Sequence, residues 1–152
     1  MIKLIASIII CQLAGIIGAI FTTPSISDWY AGLNKPFFNP PNWLFGPAWT
    51  LLYLLMGISL YLVWKQKGGI EIRTALIFFT IQLGLNTLWS IIFFGMRLPS
   101  VAFIEILILL LFIVLTIIKF FPISKISAYL LVPYLLWVSF ASLLNFYIVK
   151  LN

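Results

Sequence analysis

The sequence has no histidine, one cysteine and only three acidic side chains among 152 residues. Without histidine, the commonest acid–base group near neutral pH is gone, as are the usual zinc and haem ligand sets. Cys11 alone excludes an internal disulfide. The acids Asp28, Glu71 and Glu105 lie too far apart in sequence to suggest a hydrolytic carboxylate pair. Charge of either sign is scarce: 8% of residues carry one, against about 25% in an ordinary soluble domain. So few charges cannot keep a chain that is 64% hydrophobic in water. The nine basic residues are scattered singly between apolar blocks, which fits membrane orientation and argues against a nucleic-acid partner. The composition is that of an integral membrane protein, with lipid as its first partner.

A spanning helix needs about 20 mostly apolar residues. Five blocks qualify: Ile2–Phe21, Phe45–Trp64, Thr74–Phe94, Ser100–Phe120 and Ile126–Ile148. Prolines and glycines separate them, and the runs are continuous where a membrane β-barrel would alternate. The expectation is an all-α membrane protein. It is a single domain over residues 1–152, a bundle of five transmembrane helices with a long structured first loop at 22–44. Lys3 before an apolar run also fits a cleaved leader. That run is long for a leader and no small-residue cleavage site follows, so it is kept as a helix. Lys3, Lys65, Lys67, Arg73, Lys119 and Lys125 fall on one side of the membrane, with Lys35, Arg97 and Lys150 on the other. This bias predicts a cytoplasmic N-terminus.

The first loop is rich in features that oppose disorder. Trp29, Tyr30, Phe37, Phe38 and Trp43 are costly to leave in water, and four prolines reduce the entropy cost of one fixed shape. Two readings fit: a lid over the mouth of the bundle, or an aromatic belt at the membrane surface.

Polar residues within a bilayer are costly and face protein or a cavity. Gln82, Asn86, Trp89, Ser90 and Phe93 fall on one face of the third helix. Pro133, Trp137, Phe140, Ala141, Leu144 and Asn145 share a face of the fifth. Trp49, Tyr53, Met56, Gly57 and Leu60 share one of the second. These faces either converge on a pocket for a flat, apolar ligand or simply pack on one another. Glu105, early in the fourth helix, is either functional, or reaches the membrane surface or Arg97. Cys11 reads as a small core residue. Small residues four apart (Ala14 and Gly18, Gly15 and Ala19, Thr80 and Gly84) permit close helix packing, within the chain or across a dimer.

Several runs resemble a known family. Trp29-Tyr30, Leu33, Lys35-Pro36, Pro40-Pro41, Trp43, Phe45, Trp49 and Tyr53 are similar to the first-loop and second-helix signature of the TspO family. These are the tryptophan-rich sensory proteins, related to the mitochondrial translocator protein or peripheral benzodiazepine receptor. Gln82-Leu83, Leu85-Asn86, Trp89-Ser90 and Phe93-Phe94 match in the third helix. Pro133-Tyr134, Trp137, Phe140-Ala141 and Leu144-Asn145 match in the fifth.

The resemblance implies a five-helix bundle, often homodimeric, with a pocket under the first loop that binds porphyrins and, in many members, isoquinoline-carboxamide or benzodiazepine-type drugs. Carried over by motif position, ligand contacts would come from Tyr30, Pro41, Trp49, Tyr53, Asn86, Trp89, Ser90, Trp137, Ala141 and Leu144. Trp49 and Trp137 match the tryptophans linked in the family to light-dependent breakdown of protoporphyrin IX. No metal or cofactor is required; the porphyrin is the ligand. Leu144, Tyr147 and Lys150 fit the loose sterol pattern of vertebrate members, although Phe146 stands where those commonly have a second tyrosine. The functions implied are a porphyrin sensor or regulator, a light-dependent porphyrin-degrading enzyme, or a transporter of porphyrin- or sterol-like ligands. The expected location is a bacterial or archaeal cell membrane.

Overall fold

The structure, a computed structural model, describes residues 1–152 and contains helices without strands. Five helical segments are long and apolar enough to cross a membrane: Ile2–Asp28, Asn42–Trp64, Ile70–Gly95, Pro99–Phe120 and Lys125–Leu151. They comprise α1 (Ile2–Asp28), α2 (Asn42–Trp64), α3 (Ile70–Ser90), α4 (Pro99–Phe120), α5 (Lys125–Leu130) and α6 (Val132–Leu151). Each satisfies its backbone internally, as the bilayer requires.

The helix ends depart from the sequence expectation in informative ways. The first helix does not stop at Phe21 but runs through Pro24 to Asp28. Proline removes a backbone donor there, and side chains tie the segment down. Thr22 Oγ1 donates to Gly18 O at 2.9 Å and Ser25 Oγ to Phe94 O at 2.7 Å. At 1.5 Å per residue, α1 is about 40 Å long, beyond the roughly 30 Å hydrocarbon core. The lid therefore shrinks from the expected 22–44 to the connection between α1 and α2, with a 3₁₀ turn at Tyr30–Gly32.

α3 ends in a wider π-type turn at Ile91–Gly95, where Met96 N–H reaches Ile91 O at 2.8 Å. This turn directs Phe93 and Phe94 inward, where both are buried. The fifth span breaks at Leu131, and Pro133 sits in the first turn of α6, where its missing N–H costs nothing. Ser124 caps α5 by accepting from Ser127 N at 3.2 Å. Ser59 and Ser127 then exchange hydroxyl-to-carbonyl bonds of 2.8 and 2.7 Å, clasping α2 to α5.

Helix α1 packs on α2 and α3, while α4 lies against α3 and α6. The small residues of α1 serve these contacts inside the chain. A Cβ on Gly15 would lie 2.6 Å from the Tyr53 ring, and one on Gly18 3.3 Å from Ser90 Oγ. Gly84 faces open space instead. A second apolar cluster under the lid gathers Tyr30, Ile92, Phe93, Phe94, Leu144 and Ile148.

The aromatic residues of the first loop divide between two environments. Tyr30 is buried, and Trp29 and Phe38 pack on the bundle. Phe37 is fully exposed, and Trp43 is largely exposed at the cavity rim.

Candidate functional site

Beneath the lid lies a cavity of about 470 Å³, within the roughly 300–1,000 Å³ range of small-molecule sites. Its wall contains Tyr30 from the lid and Trp49 and Tyr53 from α2. Trp89 and Ser90 come from α3, and Trp137, Ala141 and Leu144 from α6. Eight of the ten residues carried over by motif position thus meet at one cavity. Pro41 and Asn86 do not line it. Pro41 is the extended residue that starts α2. Asn86 stands behind the wall, because Tyr53 covers it and takes its side-chain oxygen.

The aromatic groups are held in defined poses. Trp49 stacks on Tyr53 with ring centroids 5.6 Å apart and meets Trp137 edge-on at 6.3 Å. Trp89 stacks on Phe93 at 4.9 Å. Trp89 Nε1 donates to Asn145 Oδ1 at 3.0 Å, and Asn145 Nδ2 donates to Pro99 O at 2.9 Å. Such bonds fix an indole plane before any ligand arrives, which lowers the ordering cost of binding.

Behind Tyr53, away from the cavity, runs a chain of phenols and amides. Tyr53 Oη donates to Asn86 Oδ1 at 2.5 Å. Asn86 Nδ2 donates to Tyr134 Oη at 2.8 Å, which in turn donates to Gln82 Oε1 at 2.7 Å. Replacing Tyr134 with Phe leaves Gln82 without any partner and Asn86 with an orphaned donor. The expected cost is about 2 kcal/mol, read as a lower midpoint of thermal unfolding in detergent.

The lid is fastened at three places. Tyr30 Oη donates to Asn39 Oδ1 at 2.6 Å. Lys35 Nζ donates to the carbonyls of Tyr30, Ala31 and Leu33 at 2.9, 3.4 and 3.2 Å, and lies 4.9 Å over the Tyr30 ring. Asn34 N–H donates to Asn152 Oδ1 at 3.1 Å, and Asn152 Nδ2 returns a bond to Asn34 O at 2.8 Å.

Burial pushes the Tyr30 phenol from 10 up to about 12. A freed phenol ionises near 10, so lid closure is indifferent to pH below that value. It weakens as pH rises from 10 to 12. An absorbance titration of wild type minus Tyr30→Phe should show this phenol ionising near pH 12.

No charged side chain lines the cavity. Polar groups come from Gln12, Thr22, Thr23, Asn42, Thr50, Ser90 and Asn145. Ile16, Ala19 and Thr23 of α1 and Gly46 and Thr50 of α2 line it while remaining exposed, so the cavity opens sideways between these two helices. The contribution of α1 carries no chemical signature in the sequence. Gly15, Gly18 and Ala19 make room by what they lack, and their spacing registers only as a packing motif.

Other expected groups go elsewhere. Leu144 lines the cavity, but Tyr147 turns to the lid, 5.5 Å from the Phe38 ring. Lys150 lies over Tyr147 at 5.9 Å, so the sterol-pattern residues do not form one surface in the cavity. Arg97 pairs with Asp28 at 3.0 Å, at the end of the extended α1, and not with Glu105.

The TspO/MBR family model matches residues 7–151. The chain is 52% identical to "Tryptophan-rich protein TspO" of Archaeoglobus fulgidus over 99% of its own length and 97% of that protein. It is 40% identical to "Tryptophan-rich sensory protein" of Cereibacter sphaeroides, covering 89% of the chain and 85% of the relative. With the human "Translocator protein" it shares 42% identity over 78% of the chain and 71% of the relative. The five spans, the aromatic cavity and these matches agree: the chain is an integral membrane protein of the TspO/MBR family.

Proposed function

We propose that the cavity binds a flat tetrapyrrole such as protoporphyrin IX, and that the protein is a membrane sensor or regulator that sequesters it. The observation that carries this reading is an uncharged cavity in which Trp49 lies against Tyr53 and edge-on to Trp137. A large π-surface gains both apolar burial and ring–ring attraction there. The sideways opening leaves room for polar substituents at the membrane boundary. Relatives named as a sensory protein and a translocator protein support a membrane sensor or transporter.

The protein sits in a bacterial or archaeal cell membrane with its N-terminus in the cytoplasm, which puts the lid on the outer face. The six basic residues at the end away from the lid support this orientation. Several snorkel over rings: Lys3 lies 5.7 Å from the Trp64 ring and Lys119 5.9 Å from that of Phe78.

A second reading, light-dependent porphyrin breakdown, draws on the adjacent Trp49 and Trp137 rings, electron-rich groups placed where an excited porphyrin would lie. One experiment addresses both. Protoporphyrin IX is titrated against tryptophan fluorescence in darkness, and the saturated sample is then illuminated. Saturable quenching is expected; quenching no different from that of free tryptophan in micelles would sink the binding reading. Loss of many porphyrins per chain under light would make the protein an enzyme. Loss of one per chain, with oxidised indoles, would make it a sacrificial trap.

A further inference from the structure

Six basic side chains lie at the end of the bundle away from the lid: Lys3, Lys65, Lys67, Arg73, Lys119 and Lys125. Four of them fold back over rings. Lys3 lies over Trp64, Lys65 over Tyr61, Lys119 over Phe78 and Lys125 over Phe121, at 5.5–5.9 Å. Lys67 and Arg73 are left over. Both are exposed, and neither side chain makes an ion pair, a hydrogen bond or a ring contact.

These two free cations adjoin one groove. It holds about 480 Å³ on the outer side of α3 and lies apart from the cavity under the lid. Gly68, Gly69 and Arg73 form its mouth, and Lys67 directly precedes Gly68 in the chain. Leu76, Ile77, Thr80 and Ile81 form its bed. Steps of three and four residues put these on one helical face. That face packs on no other helix, because the buried side of α3 carries Ala75, Phe79, Gln82, Leu83 and Asn86. The Thr80 hydroxyl donates to Leu76 O at 2.8 Å, so the bed offers no free polar group.

The dimensions match one leaflet. From Gly69 to Ile81 the helix rises about 18 Å, and half of the hydrocarbon core is about 15 Å thick. An acyl chain can therefore lie along the bed with its headgroup at the mouth. The bed alone would accept any lipid; the unpaired cations select a negative headgroup. Glu71, the one acid at this end, stands two residues before Arg73 and so faces away from the groove, which it does not line. A second copy of the chain fits less well. Packed here about a two-fold axis along the membrane normal, it would bring two Arg73 side chains together.

We propose that this groove binds one anionic phospholipid, with an acyl chain along Leu76–Ile81 and the phosphate between Lys67 and Arg73.

The test is native mass spectrometry of the full chain in neutral detergent, with phosphatidylglycerol or phosphatidylcholine of matched acyl chains added. Two cations at headgroup level should hold one phosphatidylglycerol per chain about 10- to 30-fold more tightly than phosphatidylcholine. Lys67→Gln with Arg73→Gln should abolish that preference. Ile77→Trp, which fills the bed, should weaken both lipids. Lys3→Gln with Lys119→Gln removes the same charge from the same end and should leave the preference intact. Unchanged unfolding midpoints in both double variants check that the fold is kept. Equal retention of the two lipids, or equal losses in the two double variants, would mean diffuse attraction to a basic end and overturn the proposal. A lipid-free dimer that Ile77→Trp dissociates would mean that a second copy covers the groove, and would overturn it too.

Discussion

Trp49→Ala is expected to weaken protoporphyrin IX binding about 10- to 100-fold. A stacked aromatic contributes about 1–3 kcal/mol to holding a flat ligand, and each 1.4 kcal/mol is tenfold in affinity. Trp49 carries more than its own contact, because it also braces Tyr53 and Trp137. Removing it loosens a wall as well as deleting a surface. Phe37→Ala is the control. That ring is fully exposed on the lid and does not line the cavity, so its loss should change affinity by less than about threefold. Dark titrations of the two variants in the same detergent make the comparison. Equal losses would mean that the ligand sits on the outer surface of the lid.

The second large effect concerns the bundle itself. Gly57→Leu is expected to destabilise the protein by about 3 kcal/mol, because its Cβ would lie 2.8 Å from Ile8 Cα. That obstacle is backbone, so no side-chain rotation relieves it, and α1 must move off α2. Since the cavity has lining from both helices, ligand affinity should fall together with the unfolding midpoint. Gly84→Ala meets nothing within 4 Å. It should leave stability unchanged or raise it by up to about 1 kcal/mol through better helix propensity. If the two substitutions behaved alike, the α1–α2 contact would not be the close one described.

Five spans were legible because lipid demands long apolar runs, and nothing else in the chain imitates them. Their ends were not legible. Pro24 reads as a stop, yet a tertiary bond from Ser25 to Phe94 O, with a local one from Thr22 to Gly18 O, carries α1 onward to Asp28. That extension in turn brings Asp28 to Arg97, an ion pair hidden from any reading that leaves Asp28 in a loop. The π turn after Ser90 and the break at Leu131 depend on packing, and no residue type announces them.

Within the site, the aromatic and amide faces of α2, α3 and α6 were legible by helical periodicity. Periodicity could not separate Asn86, behind the wall, from Trp89, in it, because both lie on the buried side of α3. Nor could it give α1 a place in the cavity, since glycine and alanine contribute space and no chemistry.

The most direct test is a dark absorption titration of the purified protein with protoporphyrin IX, run beside Trp49→Phe and Trp137→Phe. The predicted result is a porphyrin band shift that saturates at one ligand per chain and weakens in both variants. A shift that grows linearly with porphyrin and matches that of empty micelles would contradict the assignment of the cavity as the binding site.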